Sequence, residues 1–533
     1  MDIREIEFLF LVLLALIIAF GQLARKIGMP YPIVMIVGGL LLSFIPRLPH
    51  IALDPDLIFL VVLPPLLYSS AWATSWRDFR FNLISILFLA FGLVGFTVLG
   101  VALVAPRVLG GFDWRLGLVL GAIVAPTDAI AATSIAKKVG LPSRIVDVLE
   151  GESLINDATG LLALQFAIAL VVSGTIPTVP HSLLMLAWLT IGGVAMGLAV
   201  GKLVAYLERH INDGPIEIAL SILVPYVAYF AADAVHGSGV LAVVACGLLL
   251  TRRSAQLFSP PVRIQIYSFW QSFTFVLNGL VFVLIGLQLP IILASIRGYS
   301  LSSIMMDGAV FSLVLIILRM LWVFPGAWLS NLARNRFDHQ NEKPPAARQV
   351  FVLGWTGMRG VVSLAAALSL PTILDNGSAF PQRNIIVFLT FCVILVTLVL
   401  QGITLTPLVR MLGLDGSGGP NCEEQVARRL VIEAAVTHLE MERLKHGEES
   451  DEIYEDLIGH YRHRLASLQP EQQDPNVAVR HQRFTDASRD AQRIERDTAV
   501  RLRNEGRIND QVLRKIEREL DLNESRFSET AED

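Results

Sequence analysis

Residues 149–160 read LEGESLINDATG and set Glu152, Ser153, Asn156 and Asp157 inside an apolar segment running from about Val146 to Val172. Roughly 20 apolar residues cross a bilayer as a helix, so these groups fall at the depth where charge is most costly. A carboxylate at the centre of a span costs about 2.5–3.5 kcal/mol on insertion scales and needs partners, water or an ion. On a helix Glu152 and Asn156 stand at i and i+4, as do Ser153 and Asp157, so adjacent faces offer Glu with Asn and Ser with Asp. Ionisable residues kept inside a membrane mark ion or proton paths. The competing reading is a polar network that only joins helices.

Two other segments combine a charge with a broken backbone. In GAIVAPTDAIAATS, Pro126 precedes Thr127 and Asp128 in mid-segment, and proline removes a donor and clashes with the preceding turn, so local unwinding is predicted. In VLGWTGMRGVVSLAAAL, Gly354, Gly357 and Gly360 surround Arg359. Irregular backbone at membrane depth survives only where it lines a cavity or is buried in protein. Interrupted spans in corresponding halves of a transporter point to a binding site at an inverted-repeat interface. Half-helix N-termini favour an anion and C-termini a cation, so Asp128 and Arg359 are predicted to neutralise dipole ends at the breaks. Arg319, in FSLVLIILRMLWVF, has no acid close in sequence. A bidentate pair with Glu152 would relieve both charges and leave Asp157 free to titrate; the alternative is an arginine snorkelling to the inner surface.

The elements that must position these groups are transmembrane helices. The 533 residues are 53% hydrophobic with a mean hydropathy of +0.58, which excludes an ordinary soluble enzyme. Apolar runs bounded by Pro, Gly and charge give about thirteen spans, centred on 6–24, 31–45, 56–75, 82–105, 115–136, 146–172, 182–207, 216–235, 238–251, 266–289, 302–330, 349–370 and 385–411. The first is read as a retained span, since its apolar run is too long for a signal peptide and lacks a small-residue cleavage site. With the N-terminus outside, the inner loops carry fifteen Lys and Arg, including Lys137, Arg144 and Lys343, against six outside, including Arg47 and Arg297. The positive-inside rule then places the C-terminus in the cytoplasm.

Residues 1–414 are thus predicted as the membrane domain, 415–421 (DGSGGPN) as a linker and 422–533 as a charged, helical cytoplasmic tail. A net charge of −4 gives no sign of a nucleic-acid partner. Cys246, Cys392 and Cys422 are far apart and lack zinc-ligand or disulfide spacing. The Ser, His and Asp residues show no triad order or nucleophile elbow, so an enzyme is not expected. Asp233 reads as an interfacial carboxylate or part of a cation funnel, His181 and His236 as outer-surface histidines, and Pro64 with Pro65 as a kink.

APTDA at 125–129, GES and ND at 151–157, HGSGVLAVVACGL at 236–248 and GMRGVVSLA at 357–365 resemble the sodium/proton exchanger family, and within it the electroneutral branch of bacterial NhaP-type and animal exchangers. The resemblance covers roughly residues 5–412; the tail ending IERELDLNESRF is similar to that of one bacterial subgroup. It implies an all-α polytopic fold with inverted repeats, a dimerisation scaffold, and a six-helix core in which two unwound helices cross. It implies a homodimer in the lipid bilayer; the short tail and the lack of targeting signals suit a bacterial inner membrane. The transported Na⁺ would be held by Asp157, Ser153 and the backbone carbonyl of Thr127, with Asp128 and Asn156 in the site region and Glu152–Arg319 as a buried ion pair. No cofactor is implied; the monovalent cation and the proton are the cargo. Electrogenic relatives carry Asp-Asp where this chain has Asn156-Asp157, which implies one cation exchanged for one proton.

The residue chemistry agrees with that expectation. A hard monovalent cation takes carboxylate, hydroxyl, carbonyl and water oxygens, and a carboxylate away from water also competes for a proton. Either charge fills the site, so movement of the core only when Asp157 is neutralised gives obligatory exchange. A potassium- or lithium-preferring antiporter stays open, because no residue fixes ion radius. So does a non-transporting ion or pH sensor whose output is the tail.

Overall fold

The computed structural model describes residues 3–45, 53–173, 179–211, 213–296, 300–337, 345–374, 377–414, 421–446, 451–467 and 475–528. Each of the thirteen apolar segments lies on a helix or a broken pair of helices. Among the described residues, nine segments are long and apolar enough to cross a membrane; the helices Tyr31–Leu42 and Leu57–Ala73 are apolar but shorter. The protein is an all-helical, multi-pass membrane protein. Arg47, Arg297 and Lys343, used in the loop count, and residues 415–420 of the expected linker lie outside the described residues, as does the side chain of His181.

Local chemistry explains several helix ends. Asp113 starts Trp114–Val124 by accepting the Leu116 N–H at 2.9 Å, and Asp213 caps Gly214–Ala234 through the Ile216 N–H. Ala129–Val139 stops at Gly140, which takes the left-handed conformation (φ 72°) that glycine adopts without a Cβ penalty. Three helices contain a π-helical turn: Leu57–Val62 immediately before Pro64 and Pro65, Phe88–Leu93, and Thr397–Gln401. Such turns leave backbone groups out of register and are frequent at functional sites.

The chain forms two compact units, Met1–Gly419 and Pro420–Asp533. In the first, one apolar core gathers both broken helices with parts of Ser143–Ser173, Pro260–Leu287, Leu301–Phe337 and Arg383–Val396. A second core lies around Gly239–Leu257, which packs along Val179–Glu208. Gly197 makes that approach possible, since a Cβ there would run into the Ala242 backbone. In the second unit, Asn421–His446 and Asp451–Ser467 bury Ile432, Val436 and Ile458 between them, and Pro475–Asn504 pairs with Asp510–Ser528.

Candidate ion-binding site

The first broken helix ends at Ala125, after Trp114–Val124, and restarts as Ala129–Val139. Pro126 lies in the gap, as its missing N–H favours. Asp128 is extended (φ −90°, ψ 118°) and caps the restart, its Oδ1 accepting the Ile130 N–H at 2.8 Å. The second broken helix stops after Ala347–Trp355 and resumes as Val361–Leu368. The Asp128 N–H donates to the Met358 carbonyl at 2.8 Å, so the two interruptions meet through main chain. Gly360 lies so near Asp128 that a methyl group there would strike its carboxylate.

Helix interruption frees carbonyls at both C-terminal ends, and each end faces a buried guanidinium. Arg359, 1% exposed, donates Nε to the Val124 carbonyl at 2.9 Å and Nη1 to the Gly357 carbonyl; its own N–H bonds Thr397 Oγ1 at 3.1 Å. Arg319, also 1% exposed, donates Nε to the Gly354 carbonyl at 3.2 Å and Nη2 to the Leu353 carbonyl at 3.3 Å. Asp128 occupies the opposite pole, where the two restarting N-termini come together.

Glu152 and Arg319 form a two-pronged pair, with Nη1 to Oε1 at 2.7 Å and Nη2 to Oε2 at 3.0 Å. Thr127 joins it to the neighbouring residue: its hydroxyl donates to Glu152 Oε1 at 2.9 Å and accepts from Asn156 Nδ2 at 2.7 Å. Three of the four expected polar groups on Ser143–Ser173 are therefore hydrogen-bonded, since Ser153 Oγ accepts the Ala129 N–H at 3.3 Å. The fourth, Asp157, receives no hydrogen bond from any described residue, and the residue is 8% exposed. That exposure is to a cavity of about 430 Å³ lined also by Thr127, Asp128 and Ser153.

The far wall of the cavity was not singled out from the sequence. Helix Pro260–Leu287 contributes Gln271, Thr274 and Asn278, and Leu63–Ala73 contributes Ser69 and Ser70. Gln271, Thr274 and Asn278 recur at i, i+3 and i+7 of that helix, a one-sided polar stripe that could have marked them. Glu150 also lines the cavity and pairs with Lys137 at 2.9 Å. Asp233 and His236 are exposed at the end of Gly214–Ala234 and contribute nothing to this wall. Oxygen donors dominate the site, and no group of three or more His, Cys, Asp or Glu among the described residues is arranged to hold a metal ion. A weakly charged hard cation suits such a donor set better than a transition metal.

The family model described as sodium/hydrogen exchanger, transmembrane, matches residues 11–411. The chain belongs to this family of antiporters. An uncharacterised Na⁺/H⁺ exchanger of Mycobacterium tuberculosis is 33% identical over 535 residues, covering 98% of this chain and 96% of the relative. A sodium, potassium, lithium and rubidium/H⁺ antiporter of Bacillus pumilus is 33% identical over 482 residues, 88% of this chain and 70% of the relative. The solved structure of the sodium proton antiporter MjNhaP1 from Methanocaldococcus jannaschii matches with a TM-score of 0.60 and 21% identity, covering 75% of this exchanger and all of that chain. The last shows that the fold is that of an NhaP antiporter.

Proposed function

We propose that this exchanger swaps one monovalent cation, Na⁺ foremost, for one proton by alternating access, and that Asp157 carries either ion. The observation that supports it is the contrast between the two acids of one helix. Glu152 has both oxygens engaged by Arg319 and Thr127, whereas Asp157 faces the cavity without a hydrogen bond from a described residue. A carboxylate already locked in a buried pair cannot release its charge cheaply, while one open to water can alternate between partners. Ser153, with its hydroxyl on the cavity wall, and the Thr127 carbonyl are assigned as further cation ligands. The Thr127 hydroxyl is already committed, to Glu152 and Asn156, and holds the network in shape. Asp128 and Asn156 frame the site, and Arg359 with Asp128 keeps the crossing helices electrically balanced.

The cycle follows from charge. With Asp157 ionised and empty, sliding the site through an apolar barrier carries an uncompensated charge, which is costly. Sodium or a proton cancels that charge, so only an occupied site crosses. Ser69, Ser70, Glu150, Ser153, Gln271 and Thr274, which line the cavity, lie in the halves of their helices nearer Lys137 and Arg144, so with the N-terminus outside and the tail in the cytoplasm the described state is read as opening inward. Thirteen crossings, a homodimer and a bacterial inner membrane complete the assignment. Preference among Na⁺, Li⁺ and K⁺ stays open in this reading, and the breadth in the name of the Bacillus pumilus relative supports testing all three.

The test is proton movement in proteoliposomes loaded with a pH dye and challenged in turn with sodium, lithium and potassium. Cation-dependent proton flux that disappears in Asp157→Asn, with the variant folded and inserted normally, is the expected result. Coupled exchange surviving in that variant overturns the assignment of Asp157. If no cation moves protons in the parent chain, the transport reading fails and an ion sensor acting through the tail takes its place.

A further inference from the structure

Of the buried side-chain oxygens without a hydrogen-bond partner among the described residues, Asn278 Oδ1 and Ser363 Oγ are the two whose residues line the ion cavity. Asn278 is 6% exposed and Ser363 1%. A buried amide or hydroxyl left unbonded is costly, so both oxygens call for a partner that the surrounding chain does not supply. Other hydroxyls of the same cavity behave differently. Ser69 and Thr274 bond back to the Leu66 and Trp270 carbonyls at 2.9 and 2.7 Å, the ordinary recourse of a helical Ser or Thr. Ser363 is the third residue of Val361–Leu368, so one turn back from it lies the interruption at Arg359 and Gly360 and not regular helix.

Both groups converge on Asp128. One Asp128 oxygen accepts the Ile130 N–H, while the other abuts Gly360, the N-cap residue of Val361–Leu368. The N-cap and the third residue of a helix share a face, as the capping box exploits, so Ser363 stands on the Asp128 side. From Pro260–Leu287, the Asn278 side chain meets the Tyr31 hydroxyl, which is also within reach of the Asp128 charge. We propose that the Asn278 amide oxygen and the Ser363 hydroxyl are further ligands of the monovalent cation, taking it up beside Asp128 in the cavity that also holds Asp157. The inference rests on the transport reading above and extends it to two residues that reading leaves out. Carbonyl and hydroxyl oxygens replace the water of a hard cation, and here a carboxylate next to them answers its charge. Both groups are neutral, so they add ligands without adding a charge to the cycle.

The test follows sodium-driven proton flux in proteoliposomes over a range of sodium concentrations. Half-saturation should rise about tenfold in Ser363→Ala and in Asn278→Leu, the loss of one ion–dipole contact in each. Flux at saturating sodium should stay near that of the parent chain, as expected when only binding is weakened. Ser363→Thr keeps the hydroxyl and should keep the parent half-saturation. So should Ser312→Ala, a serine equally buried but outside the cavity, whose hydroxyl bonds the Gly308 carbonyl at 2.7 Å. The second readout is the apparent melting temperature in detergent, with sodium exchanged for choline at constant ionic strength. Neither oxygen has a partner among the described residues, so without sodium Ser363→Ala and Asn278→Leu should melt no lower than the parent. Sodium should then stabilise the parent more than either variant. Unchanged half-saturation in Ser363→Ala or Asn278→Leu overturns the assignment of that residue. A loss in Ser363→Thr as large as in Ser363→Ala, or a lower melting temperature with an undiminished response to sodium, also overturns it. A parent chain in which no cation moves protons overturns the transport reading and this inference together. Exchange that needs Asp157 but is indifferent to both variants overturns this inference alone.

Discussion

In the proposed cycle the two acids five residues apart on one helix have opposite jobs, and their neighbours support that division. Glu152 sits among two guanidinium nitrogens and a hydroxyl, so it behaves as half of a buried pair. Removing one member of such a pair strands the other charge, which costs about 3–5 kcal/mol, whereas an apolar replacement of both is far milder. Glu152→Gln should therefore lower the apparent melting temperature in detergent markedly, and adding Arg319→Met should recover much of the loss. A Glu152→Gln protein that melts like the parent would show that Arg319 draws its stability from the Leu353 and Gly354 carbonyls instead. Thr127→Val is the gentler companion, since it deprives Asn156 Nδ2 of its acceptor and Glu152 of a donor, at about 1–3 kcal/mol. At this scale the sequence was informative about which residues demand a partner, because charge in an apolar run is conspicuous. It was silent on the Thr127 hydroxyl, a small neutral group whose bonds depend on where the chain breaks.

At the scale of the element, the two interruptions act as one device. Four half-helix ends meet, and three charged side chains, Asp128, Arg359 and Arg319, answer their dipoles. Pro126 and the glycines around Arg359 made the breaks legible, since each disturbs a helix for a stated reason. The polar stripe on Pro260–Leu287 was legible but not singled out, whereas two features were not legible, the main-chain bond from Asp128 to Met358 and the π-helical turns. Each depends on how separate helices stack, and in lipid the outer faces carry no polar periodicity to reveal it. Close packing at the crossing is testable. Gly360 has ordinary dihedral angles (φ −132°, ψ −151°), so alanine there meets a contact penalty and not a conformational one. Gly360→Ala presses on the Asp128 carboxylate, and Gly357→Ala presses on the Arg319 and Arg359 side chains. Both should lose most cation-driven proton flux in proteoliposomes. Gly95→Ala, with nothing within 4 Å, should transport like the parent and exclude a general cost of adding a methyl group.

For the whole molecule the decisive quantity is charge per cycle. If Asp157 is the one group that changes state, it crosses the barrier neutral with sodium and neutral with a proton, and Glu152 stays balanced by Arg319 throughout. Asn156 adds no second titrating carboxylate beside it, and its Nδ2 donates to Thr127 Oγ1. A membrane potential acts on moving charge at about 2.3 kcal/mol per elementary charge per 100 mV, so a cycle moving none should ignore it. Sodium-driven proton flux in proteoliposomes should therefore keep the same rate whether potassium and valinomycin set the potential at zero or make the interior negative. Acceleration in one polarity and slowing in the other would mean that a further group titrates. Asp128, on the wall of the same cavity, is the carboxylate placed to do so. Its neutral replacement, Asp128→Asn, would then abolish the voltage dependence in whatever transport activity survives.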